Sequence, residues 1–415
     1  MKALFKNVSI YVDGKFIKAD ALLSNGSLSI TDGVSSDFKG KVFDFSGKAI
    51  FPGFCDVHVH FREPGFSYKE TIKSGCASAV RGGFTAVCTM PNLKPVPDSV
   101  ENLKVQTDII EKDATIAVLP YGSITVGQKG EVLSDLDGMA KNVVAFSDDG
   151  KGVQDGNLMM RAMENAKRLD KIVVAHCEDE KLVNGGYIHD GEYAKEHGHK
   201  GICSESEWAP IVRDIELIKK TGCRYHVCHV SAKGSVDAIR KAKQAGVDIT
   251  CETAPHYLVL SDKDLQEDGR FKMNPPLRGE EDRKALIEGI LDGTVDMIAT
   301  DHAPHSKEEK SKGLQGSVFG VVGLETSFPI MYTYLVKTGI ITLEKLVEIM
   351  SVNPRKRFGL QIDEGFSVWD LEKEYVITPQ DFLSQGKATP FEGLKVFGEN
   401  LLTVYNGKIV YNNLG

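Results

Sequence analysis

Long hydrophobic runs, an excess of positive charge and closely paired cysteines are all missing from this chain of 415 residues. No run of 18 apolar residues occurs, which predicts that no segment spans a membrane. Residues 1–14 carry polar or charged side chains every few positions, without an apolar core of signal-peptide length. With 58 acidic against 50 basic residues, the net charge of −8 argues against binding to nucleic acid or to an anionic membrane.

The eight cysteines form no CxxC pair and no compact framework, which argues against a disulfide scaffold. Most lie in apolar, strand-like runs, so we expect reduced core thiols in a cytoplasmic protein. Cys177 and Cys228 each neighbour a histidine that is considered below. As strand neighbours of those histidines, the two cysteines should point to the opposite face and belong to the core.

The middle of the chain alternates short apolar runs with segments of helical character. Continuous apolar runs are typical of parallel strands covered on both faces, and eight βα units in about 250 residues match a (β/α)8 barrel. The runs are 50–58, 84–90, 115–121, 143–147, 172–176, 225–230, 247–252 and 295–300, and the helical segments are 69–81, 99–112, 157–169, 205–221, 233–245 and 280–292. Ser204 with Glu207 resembles a capping box. A doubly wound open sheet is the alternative, but it would not gather residues from five strand ends into one site.

The two ends of the chain are rich in short strands and tight turns. Asp13-Gly14, Asn25-Gly26 and Asp32-Gly33 are typical of hairpins, and residues 402–411 form a further hairpin pattern around Asn406-Gly407. We therefore predict a barrel at residues 49–361, flanked by residues 1–48 and 362–415. The flanking segments are expected to pair into one small β-sandwich domain.

His58 and His60 end the first apolar run and point to the same side of the predicted strand, because side chains alternate along a strand. Two imidazoles placed in this way can reach one metal ion. An isolated pair of this kind is more often a pair of core histidines. The interpretation therefore depends on what ends the other runs.

Further histidine and aspartate residues end four later runs: Asp148 or Asp149, His176, His229 and Asp301. The carboxyl ends of barrel strands share one face, where barrel enzymes build their sites. Imidazole and carboxylate donors suit Zn²⁺ or a similar divalent ion, and their number allows two ions. The spacing does not decide between the two neighbouring aspartates.

Longer stretches around these residues match a known family. They are PGFCDVHVHFREPG (52–65), the turn Met90-Pro91-Asn92, FSDDG (146–150), AHCED (175–179), CHVSAKGS (228–235), ETAPHYL (252–258), MNPPLR (273–278), ATDHAPH (299–305) and GLET (323–326). Over essentially its whole length the chain resembles the amidohydrolase superfamily and, within it, the type I dihydroorotases. HxH alone is weakly specific, whereas HVHFREPG, MPN and TDHAPH together are strongly specific.

The resemblance implies a zinc site and a reaction. The implied ligands are His58, His60 and Asp301 on one ion, His176 and His229 on the other, and Asp149 shared between them. The implied reaction is the reversible cyclisation of N-carbamoyl-L-aspartate to dihydroorotate and water, a step of pyrimidine (UMP) biosynthesis. Hydroxide formed at the metals would attack the ring amide, with Asp301 as general acid and base.

A substrate carboxylate calls for a fixed cation, and Arg62 lies two residues after His60 on the same face. The resemblance implies a full substrate site of His60, Arg62, Asn92, Asn274, His305, Phe319 and Gly320. In this set, Asn274 and the backbone around Phe319 and Gly320 read the amide edges of the ring. The charged segment that follows, within residues 306–318, predicts a mobile lid.

Several alternatives share the barrel. Dihydropyrimidinase, hydantoinase and allantoinase usually carry a bridging lysine, and their neutral substrates do not need Arg62. A deaminase is disfavoured because the site is predicted to be binuclear. A non-catalytic scaffold that supports aspartate carbamoyltransferase would have lost metal ligands. Association with that enzyme in addition to catalysis, and a homodimer, are both left open.

Overall fold

Eight parallel strands surround the centre of the computed structural model, which describes residues 2–32, 38–361 and 365–414. We number them barrel strands 1 to 8 in chain order: Phe54–Val59, Phe84–Thr89, Ala117–Pro120, Phe146–Ser147, Ile172–Ala175, Arg224–Val227, Ile249–Thr253 and Met297–Ile298. Ladders join strands 1 to 3 and strands 4 to 8. Single bridges, Gly122 to Phe146 and His302 to Val59, complete the ring between strands 3 and 4 and between strands 8 and 1. The predicted barrel is confirmed.

Six long helices follow the predicted segments to within three residues at each end. Their bounds are Ile72–Arg81, Val100–Asp113, Gly156–Arg168, Glu205–Thr221, Lys233–Gln244 and Glu280–Asp292. Shorter helices lie at Leu136–Met139, Glu180–Val183, Glu192–His197, Pro255–Val259, Lys307–Lys310, Gly313–Gly316, Ser327–Met331, Leu343–Val347 and Asn353–Phe358.

The capping box predicted at Ser204 is wrong. Ser204 has helical backbone angles and makes no side-chain cap bond. Glu207 is buried, and its carboxylate accepts hydrogen bonds from the Ser231 and Ala232 backbone N–H groups, both at 3.0 Å. The carboxylate is therefore used to fix the loop after barrel strand 6, because that loop offers unpaired donors inside the protein.

The predicted pairing of the terminal segments is confirmed, since their strands form one hydrogen-bonded sheet of eight strands within the described ranges, whereas the two layers of a sandwich stay a prediction. The strands are Lys2–Val12, Lys15–Ser24, Ser27–Thr31, Lys41–Asp44, Lys48–Pro52, Gly365–Val376, Lys395–Tyr405 and Lys408–Asn412. The two halves of the chain meet where Lys48–Pro52 runs antiparallel to Gly365–Val376. Buried residues from both halves, such as Phe5, Ile50 and Leu402, form one apolar cluster.

Tight turns connect these strands where the sequence predicts them. Asp13-Gly14 and Asn25-Gly26 have positive φ at all four residues, as does Asn406-Gly407 at both of its residues. This backbone suits two-residue hairpins, since it matches the twist of the flanking strands. The predicted turn at Asp32-Gly33 and the predicted boundary at residue 362 lie partly outside the described residues.

The run predicted as one strand at 50–58 is divided at Gly53 between the terminal sheet and barrel strand 1. The Gly53 N–H donates to the Gly365 carbonyl at 3.0 Å, whereas the next N–H, that of Phe54, donates to the Gly83 carbonyl at 2.9 Å. A Cβ atom at Gly53 would lie 2.3 Å from the Thr85 side chain. The chain can change sheets here because the residue has no side chain.

Four aromatic side chains join the terminal sheet to the amino end of the barrel. Ring centroids are 5.4 Å apart for Phe51 and Phe54, 5.4 Å for Phe54 and Phe328, and 4.2 Å for Phe328 and Trp369. All four are almost fully buried. The two layers therefore share one packed core at this end.

All eight cysteines are free thiols and seven of them are buried, which confirms the prediction that most belong to the core. A search of residues 2–32, 38–361 and 365–414 finds no helix with the length and hydropathy needed to cross a bilayer.

Replacing Trp369 with alanine should destabilise the protein by about 3–5 kcal/mol, because the substitution would leave a cavity between the terminal sheet and the barrel. The measurement is the shift in thermal and denaturant unfolding midpoints. Val376→Ala, at the exposed end of the same strand, is the matched control and should change stability by less than about 0.5 kcal/mol. Equal effects of the two substitutions would contradict the shared core.

Candidate metal centre

Six predicted ligands meet at the carboxyl ends of the barrel strands and form what we call the donor set. Its members are His58, His60, Asp149, His176, His229 and Asp301, and all are buried. They come from barrel strands 1, 4, 5, 6 and 8 or from the one to three residues that follow them. His229 and Asp301 have positive φ values of 34° and 47°. Such backbone strain is often found at functional sites, where the fold holds a side chain in one direction.

The Asp149 carboxylate lies between two pairs of imidazoles. Its Oδ1 atom is 3.3 Å from His58 Nε2, 3.6 Å from His229 Nε2 and 3.7 Å from His176 Nδ1. Its Oδ2 atom is 3.5 Å from His60 Nε2. One carboxylate therefore belongs to two compact groups of donor atoms, one with His58 and His60 and the other with His176 and His229.

Asp301 joins the first pair. Its Oδ1 atom is 3.0 Å from His60 Nε2 and 3.5 Å from His58 Nε2. The other predicted candidate, Asp148, faces away from the donor set and accepts hydrogen bonds from the Ile124 and Thr125 backbone N–H groups at 2.8 and 3.1 Å. The structure therefore brings Asp149, and not Asp148, to the other ligands.

Outer hydrogen bonds orient three of the four imidazoles. His58 Nδ1 lies 2.7 Å from the Glu252 carboxylate, and His60 Nδ1 lies 2.8 Å from Asn92 Oδ1. His176 Nε2 lies 3.3 Å from the Glu178 carboxylate. Since these oxygens accept, each ring directs its other nitrogen into the donor set, which is the arrangement that metal-binding histidines usually have.

Two atoms inside the donor set, His58 Nε2 and Asp149 Oδ1, are buried without a hydrogen-bond partner among the described residues. Buried polar atoms are costly when unpaired, and two of them side by side among metal-binding groups indicate a missing cation. The donor set therefore suits a metal cofactor.

Electrostatics keep the carboxylates anionic. Burial opposes ionisation of Asp301, but His58 and His60 outweigh it and hold the pKa of Asp301 well below its usual value. The pKa of Asp149 is lowered well below its usual value in the same way, by the neighbouring imidazoles of His58, His176 and His229. Burial works against the charged form of His58 as well, yet Asp149 raises the pKa of this imidazole well above its usual value. A metal ion would therefore compete with a proton at His58.

Glu252 and Glu178 are functional candidates that the sequence analysis missed. Glu252 bridges His58 and a second buried imidazole, His226, at 2.7 and 3.0 Å. Its signal in the sequence is a carboxylate at the carboxyl end of the run 247–252, the position at which the donor residues follow the other runs. Glu178 lies within AHCED, where it follows the predicted ligand His176 by two residues.

The predicted orientation of Cys228 is wrong, although its burial is confirmed. Its sulfur lies within 4.8 Å of donor atoms of both His58 and Glu252, inside the barrel. His226 also faces Glu252, at 3.0 Å, whereas Val227 belongs to the core around the barrel, so side chains alternate regularly as far as Cys228. The alternation is broken at His229, which has left-handed backbone and turns toward the donor set. Cys177 is buried in the surrounding core, as predicted.

A cavity of about 170 Å³ opens onto the donor set. All seven predicted substrate residues line it: His60, Arg62, Asn92, Asn274, His305, Phe319 and Gly320. Asn274 donates from Nδ2 to the Glu178 carboxylate at 2.9 Å, while its Oδ1 is buried without a hydrogen-bond partner among the described residues. The Gly320 N–H already donates to the Lys272 carbonyl at 3.1 Å, so this N–H group is not free to bind a ligand.

The segment predicted as a lid forms the short helices Lys307–Lys310 and Gly313–Gly316 beside the cavity. Lys310 is buried, and its Nζ donates to the Lys272 and Val318 carbonyls, both at 2.9 Å. Mobility of this segment stays a prediction. The histidines left out of the predicted ligands lie outside both groups around Asp149: His189, His197, His199, His226, His256 and His302.

Solved structures place this architecture in a class. The fold matches that of an L-hydantoinase (dihydropyrimidinase) from Arthrobacter aurescens with a TM-score of 0.85 and 26% identity, over 99% of this chain and 96% of that one. A dihydropyrimidinase from Brevibacillus agri NCHU1002 matches with a TM-score of 0.84 and 22% identity, over 100% and 95%. Barrel and donor set together define a cyclic amidohydrolase.

Sequence relatives narrow the class to one family. Residues 47–235 match the family model described as dihydro-orotase-like. A dihydroorotase from Fusobacterium nucleatum subsp. nucleatum is 50% identical over 417 residues, covering 98% of each chain. One from Bacillus cereus (strain B4264) is 48% identical over 422 residues, covering 99% of this chain and 98% of that one. The chain belongs to the dihydroorotase family.

Replacing Glu252 with glutamine should weaken divalent metal binding about 10- to 100-fold, because His58 would lose the carboxylate that orients it. Competition with a chelator measures the affinity. Glu70→Gln is the matched control, since Glu70 is equally buried and contacts the imidazole of His302 at 3.5 Å outside the donor set. Equal losses in both variants would show that Glu252 acts only on general stability.

Proposed function

We propose that this protein is a zinc-dependent dihydroorotase, which interconverts N-carbamoyl-L-aspartate and (S)-dihydroorotate plus water in pyrimidine biosynthesis. The observation that carries the proposal is one cavity that contains both the donor set and a guanidinium. A hydantoinase needs the donor set, but its neutral substrate has no carboxylate for Arg62 to bind. The names of the relatives agree with this substrate.

The donor set would hold two Zn²⁺ ions, with Asp149 between them. His58, His60 and Asp301 would bind one ion, and His176 and His229 the other. Imidazole and carboxylate donors suit zinc, and a carboxylate is able to span two ions. When bound, the metal supplies activation of a water molecule and polarisation of a carbonyl oxygen.

Asp301 is the proposed general acid and base. The carboxylate is held as an anion at the floor of the cavity, so it can accept a proton from the attacking water. In hydrolysis it passes this proton to the leaving ring nitrogen, and in ring closure it takes the proton from that nitrogen. Ring closure also consumes one proton, because a carboxylate becomes a neutral amide, and lower pH therefore favours the ring.

The remaining cavity residues orient the substrate. Arg62, Asn92 and His305 would bind the carboxylate that stays outside the ring. Asn274 offers an unpartnered amide oxygen, which suits a ring N–H donor. The carbonyls of Phe319 and Gly320 would complete the reading of the amide edge.

A homodimer and association with aspartate carbamoyltransferase are further proposals. Closed symmetric assemblies are common among soluble enzymes, which supports the first. The second is supported only by the resemblance of the chain to its family.

Purified, zinc-loaded protein should convert N-carbamoyl-L-aspartate to dihydroorotate at about pH 6. Asp301→Ala should reduce turnover by at least about 100-fold, through loss of the general acid and base and of a ligand. Metal content of the variant is measured in parallel, so that loss of metal is separated from loss of proton transfer. Turnover of dihydrouracil or hydantoin, with none of N-carbamoyl-L-aspartate, would contradict the proposal.

The neighbouring aspartates offer a matched pair for the metal site. Asp149→Asn should lose most bound zinc, because both groups of donor atoms include this carboxylate. Asp148→Asn should keep its zinc and lose stability, since Asp148 instead binds backbone N–H groups. Elemental analysis after dialysis gives the zinc content, and equal zinc in the two variants would refute a bridging role for Asp149.

A further inference from the structure

Lys69 reaches the carboxylate-binding part of the cavity from outside the residues assigned above. Its Nζ lies 3.2 Å from His305 Nδ1 and 2.8 Å from Glu309 Oε1. The side chain is 13% exposed, so these contacts are partly shielded from solvent. Lys69 is therefore in a position to act on His305.

Two donor groups, those of Lys69 and Arg62, approach the two ring nitrogens of His305. Its second ring nitrogen, Nε2, lies 3.2 Å from Arg62 Nη2. A neutral imidazole has one N–H and one acceptor, whereas lysine and arginine only donate. Burial, together with Arg62 and Lys69, lowers the pKa of His305 to about 2, so the ring is neutral at working pH. Lys69 and Arg62 cannot both donate to it.

The tautomer of His305 decides what the cavity offers to a ligand. If Arg62 donates to Nε2, this nitrogen has no hydrogen and cannot bind an anion. If Lys69 donates to Nδ1, the hydrogen lies on Nε2, beside the Arg62 guanidinium. Nε2 faces the cavity wall at Gly320, where an added Cβ atom would lie 3.0 Å away. In the second tautomer the His305 Nε2–H and the Arg62 guanidinium are neighbouring donors in the cavity, and one carboxylate can accept a hydrogen bond from each of them.

We infer that Lys69 is a positioning residue, which donates to His305 Nδ1 and so provides the Nε2 hydrogen that binds the substrate carboxylate with Arg62. The identity of the ligand rests on the proposed function, but the tautomer does not. The unliganded site holds two opposed donors, and an entering anion removes this opposition by accepting from both.

Glu309 connects the contact between Lys69 and His305 to the helix Lys307–Lys310. Its carboxylate binds Lys69 and the Tyr68 hydroxyl, the latter at 3.2 Å, and it also accepts from the backbone N–H of Ser306 at 3.0 Å. Glu309 lies in the short helix Lys307–Lys310, and its Oε2 atom is 3.6 Å from His305 Nδ1. The position of that helix therefore helps to set the position of the Lys69 ammonium.

Steady-state kinetics of Lys69→Met give the first test. KM for N-carbamoyl-L-aspartate should rise about 10- to 100-fold, the cost of losing a hydrogen bond to a charged group, while kcat changes by less than about threefold. Lys307→Met is the matched control, because it removes the same charge from the exposed face of the neighbouring helix. Its KM should stay within about twofold. Equal increases in KM would assign the effect to overall charge and overturn the inference.

The second test reads the tautomer without any reaction. Nitrogen-15 NMR of histidine-labelled, zinc-loaded protein, with His305→Asn used to assign the signal, should show the hydrogen on Nε2 in the native protein. In Lys69→Met the hydrogen should move to Nδ1. A native protein with hydrogen on Nδ1, or a variant with no change, would overturn the inference. If the native protein fails to turn over N-carbamoyl-L-aspartate, the proposed function falls, and the NMR result still decides the role of Lys69.

Discussion

A single buried carboxylate, that of Asp149, determines the arrangement of the site. An isolated anion in a protein interior is strongly unfavourable, and here four imidazoles from barrel strands 1, 5 and 6 surround it. Three of those imidazoles are oriented in turn by oxygens that lie further out. The charge at the centre thus requires the shell around it, and the shell requires strands held in fixed register. The closed barrel supplies that register.

The strand and helix pattern could be predicted because it depends on local features. Continuous apolar runs mark strands that are covered on both faces, and the donor residues follow directly after them. The division of residues 50–58 at Gly53 could not be predicted, since the apolar character continues across it. Only the close approach of Thr85, more than thirty residues later, explains why the chain changes sheets there.

The residues of the site could also be predicted only in part from the sequence. His58 and His60 could be predicted from their spacing together with the residues that end the other runs, but the choice between Asp148 and Asp149 needed either the resemblance or the structure. Both aspartates are buried, and only the donors at Ile124 and Thr125 explain why the first turns away. Glu252 contacts His58 and Lys69 contacts His305, and because both pairs are distant in sequence no local pattern identifies them. The wrong orientation of Cys228 has a different cause, because alternation was assumed to continue through His229, whose backbone is left-handed.

The barrel is closed between strands 8 and 1, next to three members of the donor set. Strands 8 and 1 are joined by the bridge from His302 to Val59, and the His60 N–H donates to the His302 carbonyl at 2.8 Å. Asp301 immediately precedes that bridge on one side, and His58 and His60 flank it on the other. Widening of this seam would separate Asp301 from the imidazoles, and an ion shared by them would resist the widening. Closure of the barrel and assembly of the metal centre would then be coupled, since an ion bound here would hold strands 8 and 1 together at a place where a single bridge joins them.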